Sequence, residues 1–179
     1  MSRSLAVRVS GVVLVLAAMV AGCSEKKTPA ASKLPSGTCF GVFDPADLAP
    51  LLGDGEEVKV VAPADMTLTP ARPSAICNVY VDRQGPFLAT VERAPVGRQF
   101  FWPLDKANPD PLPFVENGKV WNTGAAVALT CKKAEESFEL ELWISGSSNK
   151  MKYEDVRPLF TALMKKYLEA ARQQNGCGS

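Results

Sequence analysis

The chain has 179 residues, 46% of them hydrophobic, with 13 glycines and 14 prolines, a composition suited to one globular domain and not to a disordered chain. Its 20 basic and 19 acidic side chains nearly cancel, which leaves no electrostatic footprint for nucleic acid. It contains no histidine, which excludes a Ser-His-Asp triad, a histidine general base and most zinc centres.

The N-terminus carries a targeting pattern. Arg3 and Arg8 precede an uncharged apolar run, Val9 to Ala21, that ends in small residues. These are the parts of a secretory signal peptide. The run is shorter than the roughly 20 residues a helix needs to span a bilayer. Val20-Ala21-Gly22-Cys23 resembles a bacterial lipobox. The resemblance implies cleavage before Cys23 and a diacylglycerol on its thiol. Each buried acyl methylene contributes about 0.8 kcal/mol, so two or three chains hold a protein at a membrane without a spanning helix. Loss of the signal peptide, residues 1–22, removes two arginines and no acid, which leaves 18 basic against 19 acidic side chains. Residues 23–36 then read as the lipidated cysteine and a flexible, proline-containing tether. Its reach is at most about 45 Å extended, or about 20 Å as a coil. Residues 37–179 form the expected extracytoplasmic globular domain.

Asp44-Pro45 starts a short helix, with an Asp cap and Pro at the first position. Leu48, Leu51 and Leu52 supply its apolar face and Gly53 stops it. Pro50 requires that helix to be short or to begin as late as Asp47. Glu57 to Val61 alternates as a strand. Cys77, Val79 and Val81 share one face of a second strand, Ile76 to Asp82. Arg83 to Pro86 reads as a turn, and Phe87, Ala89 and Val91 line a third strand. Residues 94–124 hold five prolines and a dense aromatic group, with Asn117-Gly118 suggesting a hairpin turn within irregular strand. Ala125 to Lys132 is a further strand. Phe138, Leu140, Leu142 and Ile144 alternate with Glu139, Glu141 and Trp143 in the clearest half-buried strand. Finally, Val156, Phe160, Leu163, Met164, Tyr167, Leu168 and Ala171 recur at helical spacing. Pro158 places the start of this helix near Glu154, and Asn175-Gly176 ends it.

With Cys23 lipidated, four cysteines remain, and a secreted chain is expected to oxidise them into two disulfides. Four cysteines allow three connectivities. The elements favour Cys39–Cys77 and Cys131–Cys177, because each such bond clamps a helix onto a strand. Each closes a loop of roughly 40–50 residues, worth about 4 kcal/mol in the chain-entropy model. A metal reading lacks any Cys-x-x-Cys knuckle.

No assembled catalytic set is legible. Ser147 and Lys150 match the Ser-x-x-Lys pattern of penicillin-binding enzymes, but Ser24 and Lys27 match it too, and the partner motifs are absent. Glu139 and Glu141 share a strand face, most simply a solvated one. Asp105, Asn108 and Asp110 offer oxygens at a spacing that fits no compact calcium loop. Phe100, Phe101 and Trp102 are more pointed. Three adjacent aromatics cannot all face one core, so at least one is a candidate contact for an envelope partner or ligand. The alternative is a loop folded over the sheet with its aromatics buried.

Cys39-Phe-Gly-Val-Phe-Asp-Pro-Ala-Asp-Leu-Ala-Pro-Leu-Leu-Gly53, followed by Cys77 in a strand, resembles a group of actinobacterial cell-envelope lipoproteins. Members share a lipobox, a polar tether, and a cysteine before a short helix ending in Leu-Gly. The resemblance spans roughly residues 20–92 and independently implies the Cys39–Cys77 bond. It implies an address at the outer face of the cell membrane and no particular activity.

The expected fold is α+β: an antiparallel sheet of about five strands, with a short N-terminal helix and a long amphipathic C-terminal helix packed on one face. The expected function is that of a membrane-anchored extracytoplasmic lipoprotein, a non-catalytic binding or accessory module without cofactor or metal. Its first partner is the membrane, through the N-terminal lipid. The competing reading is an envelope serine hydrolase using Ser147 and Lys150.

Overall fold

Alternating apolar residues build one antiparallel sheet in a computed structural model that describes residues 28–95, 108–131, 136–145 and 153–177. Its strands are β1 (Val58–Val61), β2 (Ser74–Val81), β3 (Gln84–Pro95), β4 (Asp110–Pro111), β5 (Gly118–Trp121), β6 (Gly124–Cys131) and β7 (Glu136–Ile144). Their order is β1-β2-β3-β7-β6-β5-β4. Two meanders thus meet where β3 pairs with β7, with Leu88 opposite Trp143 and Val91 opposite Leu140. The α+β class agrees with expectation, but the sheet has seven strands and not about five. The added strands, β4 and β5, lie in the proline-rich stretch. At two and four residues they are too short to register as alternation.

One face of the sheet is the core. Cys77, Val79, Phe87, Ala89, Val91, Ala125, Val127, Leu140 and Leu142 all point into it and are buried. The C-terminal helix (Tyr153–Gln174) covers this face against β5, β6 and β7. Phe160, Leu163, Met164, Tyr167 and Leu168 supply its buried stripe, at the spacing read from the sequence. It runs into the Gly176 stop, which adopts a left-handed φ of 66°. The Cys177 N–H donates to the Arg172 carbonyl at 2.9 Å and closes a Schellman cap.

The N-terminal helix spans Pro45–Leu52 and buries Leu48, Leu51 and Leu52. Asp44 and Asp47 form its capping box. Starting at Pro45, it accommodates Pro50 without a late start. It is preceded by a single turn, Thr38–Gly41, in which Cys39 and Phe40 both take positive φ.

The chain described before Gly37 is not free. Ala30, Ala31 and Leu34 are buried, and the Ala30 N–H donates to the Gly53 carbonyl at 2.9 Å. The Gly55 N–H donates to the Thr28 carbonyl at 3.1 Å. Lys33 Nζ donates to the carbonyls of Gly55 and Glu56. Residues 28–36 were expected to be tether. They instead pack onto the domain through the buried Ala30, Ala31 and Leu34.

One turn sits elsewhere than expected. Asp82 and Arg83, both at left-handed φ, make the β2–β3 turn. Gln84 to Pro86 belong to β3, where the register shifts against β2 and accommodates the proline. Asn117-Gly118 closes the loop of the β4–β5 hairpin, with Gly118 as the first residue of β5; a second, tighter turn at Asn122 and Thr123 joins β5 to β6, since Trp121 pairs with Gly124. Gly118 is required for packing. A Cβ there would lie 2.6 Å from Val115 and 2.9 Å from Leu112.

Disulfides join Cys39 to Cys77 and Cys131 to Cys177, with Cα atoms 5.4 and 4.9 Å apart. The first ties the Thr38–Gly41 turn to β2, the second the capped end of the C-terminal helix to β6. Residues 62–73, with no regular structure, are stitched to that same helix end. Gln174 Oε1 accepts from the Met66 N–H and Asn175 Oδ1 from the Leu68 N–H, each at 2.8 Å.

Candidate functional site

Among the described residues, all the helices lie against one face; on the other, Ala94, Trp121, Ala126 and Ser137 are buried, and the exposed part lies on β1, β2 and the Trp143 end of β7. Strand parity decides what it carries. Lys59 and Val61 on β1, Ile76 and Tyr80 on β2, Leu88 on β3, and Trp143 on β7 project there. Among the described residues, Val61, Ile76 and Trp143 are the exposed large apolar residues, at 44%, 48% and 36%. Pairing register sets Val61, Asn78, Leu88 and Trp143 in one row across four strands.

A cleft of about 300 Å³ opens at the β1 corner of this face, lined by Glu57, Lys59, Val61, Tyr80 and Arg83. Three of these alternate along the first strand and its approach, so they share a side. Tyr80 projects from the neighbouring strand, and the β2–β3 turn supplies Arg83. The turn is locked to the approach strand through Asp82. Its carboxylate accepts from the backbone N–H groups of Glu56 at 3.0 Å and Glu57 at 2.9 Å. Its own N–H donates to the Glu57 carbonyl at 2.9 Å. The Glu57 N–H, above all, holds the Asp82 carboxyl below the usual range, against an opposing desolvation. Arg83 Nε lies 3.9 Å from Glu57 Oε2 in an open, solvated pair.

The cleft therefore offers an aromatic surface, an aliphatic wall, two cations and one carboxylate. That set can hold an amphiphilic or anionic group by contact and charge; it contains no general base beside a nucleophile. At the opposite end of the same face Glu92 stands opposite Glu139, with Glu141 one step nearer the turn.

Cys23, the aromatic trio Phe100, Phe101 and Trp102, the pair Ser147 and Lys150, and Asp105 lie outside the described residues. Glu139 and Glu141 are on the open face of β7, as read. Asp110 is not set for calcium: its carboxylate is engaged by Arg157 Nη1, whose Nε donates to Asn122 Oδ1 at 2.9 Å. Among the described residues no group of three His, Cys, Asp or Glu is placed to hold a metal ion, and no helix is long and apolar enough to cross a membrane. The sequence reading missed the cleft. The alternation of Glu57, Lys59 and Val61 was visible, but nothing in it tells which side of the sheet the helices leave open.

No protein-family model, curated protein or solved structure matches the chain.

Proposed function

We propose that this chain is a lipid-anchored extracytoplasmic lipoprotein of the cell envelope, serving as a non-catalytic binding or accessory module. The observation that carries the reading is the pair of disulfides joining all four cysteines other than Cys23. Such bonds persist in oxidising compartments and not in the cytosol. They leave Cys23 as the one thiol outside a disulfide, at the end of an apolar leader, where a lipobox places its acyl acceptor. The exposed Val61, Ile76 and Trp143 on the sheet face away from the helices, together with the corner cleft, support binding as the task.

Fractionation of cells expressing the full chain tests the address. The wild type is expected in the membrane fraction and Cys23→Ser in the soluble envelope fraction. Retention of Cys23→Ser on the membrane would count against lipid anchoring. The non-catalytic part is tested by fluorophosphonate and penicillin probes. No covalent adduct is expected; labelling abolished by Ser147→Ala would replace this reading with a serine hydrolase.

A further inference from the structure

The early start of the packed chain has a geometric consequence for a protein held by lipid on Cys23. Only Ser24 to Lys27 separate that cysteine from Thr28. Five residue steps span at most about 17 Å. Thr28 itself is pinned: its carbonyl accepts from the Gly55 N–H, and Pro29 bridges Asp54. Gly55 lies two residues from Glu57, whose carbonyl holds the Asp82 N–H. The anchor therefore leaves the domain beside the β2–β3 turn, at the corner that carries the cleft.

We propose that the turn end of the open face, with Lys59, Tyr80 and Arg83, rests on the phospholipid headgroups of the membrane that holds the chain. The inference rests on the lipid-anchor reading of Cys23. Three observations favour this occupant over another. The anchor's reach is too short to hold this corner far from the bilayer. Arg83 is 91% exposed at the tip of the turn, where a guanidinium meets phosphate oxygens. Tyr80, Val61 and Trp143 give this end amphipathic and apolar side chains suited to the headgroup boundary. Acids near the corner are in part engaged: Asp82 on two backbone N–H groups and Glu57 beside Arg83. Asp54 and Glu56 remain exposed there and oppose the contact, so lipid tethering and not charge alone must supply the attachment.

Hydrogen exchange by mass spectrometry on the full chain tests the orientation. The lipidated protein on vesicles of equal phosphatidylglycerol and phosphatidylcholine is compared with Cys23→Ser protein in solution. Exchange across residues 80–88 is expected to slow by about tenfold on the vesicles, and that of residues 69–75 to stay unchanged. Reversing both charges, Lys59→Glu with Arg83→Glu, is expected to remove the slowing while the lipid keeps the chain on the vesicle. The unchanged 69–75 segment then reports that the variant is folded. Equal exchange of 80–88 in both states, with lipid verified on Cys23, overturns the orientation and leaves the lipoprotein reading standing. Slowing that survives the charge reversal overturns the part given to Lys59 and Arg83. A chain bearing no lipid on Cys23 overturns both readings.

Discussion

The Cα atoms of Cys131 and Cys177 stand 4.9 Å apart, and the bond between them fastens the Schellman-capped end of the C-terminal helix to β6. The helix is thus fixed by its buried stripe along its length and by a covalent link at its end. In the chain-entropy account a link of this sequence separation, 46 residues, stabilises by about 4 kcal/mol. The double substitution Cys131→Ala with Cys177→Ala is expected to lower stability by about 2–4 kcal/mol. Urea unfolding under non-reducing conditions measures it. A change within error would mean that the bond adds nothing to the packing.

Asn175 joins three backbone groups. Besides accepting from the Leu68 N–H, its Nδ2 donates to the Met66 carbonyl at 3.2 Å and to the Ala171 carbonyl at 3.1 Å. Asn175→Ala strands these partners and is expected to cost about 1–3 kcal/mol. Hydrogen exchange should localise the loss to residues 62–73 and the last helical turn.

Tyr167 is the opposite case. Its ring packs against Phe40 and Phe43 at centroid distances of 6.2 and 5.9 Å, and its hydroxyl is buried with no hydrogen-bond partner among the described residues. Burial raises its pKa well above that of a free phenol. The hydroxyl is a cost, so Tyr167→Phe is expected to hold or raise stability, by up to about 1 kcal/mol. A clear loss in the urea midpoint would show that the hydroxyl has a partner after all.

How much of this was legible in the sequence divides by length of pattern. The stripe through Phe160, Met164 and Tyr167, and the alternation of Phe138, Leu140 and Leu142, repeat often enough to specify helix and strand. Asp82-Arg83 did not read as a turn, since Gly85-Pro86 just beyond it is the stronger local signal. The left-handed backbone at Asp82 is stabilised by bonds to Glu56 and Glu57, 26 and 25 residues away. Residues 28–34 look like linker by composition, and only tertiary packing shows Ala30 to be core. The cleft depends on Tyr80 and Arg83 meeting Glu57 across two strands, a juxtaposition that local pattern does not encode.

Acid should loosen both the β2–β3 turn and the 62–73 segment. The folded-state pKa of Asp82 is lowered, first by the Glu57 N–H and further by the Glu56 N–H and Lys33. That of Asp65 is lowered by the Thr67 N–H and then by Arg72. A depressed carboxyl pKa contributes stability above the unfolded value, near 3.8, and loses it as pH falls through the folded one. Urea midpoints are therefore expected to be flat near neutrality and to drop below about pH 4. Asp82→Asn should make that drop shallower; an unchanged slope would assign the acid sensitivity elsewhere.

The central claim concerns Cys23, and the mass of the mature N-terminus tests it most directly. Intact mass and peptide sequencing of the protein extracted from membranes should give a chain that starts at Cys23 and carries diacylglycerol on its sulfur. A chain that starts elsewhere, or a Cys23 with an unmodified thiol, would contradict the account.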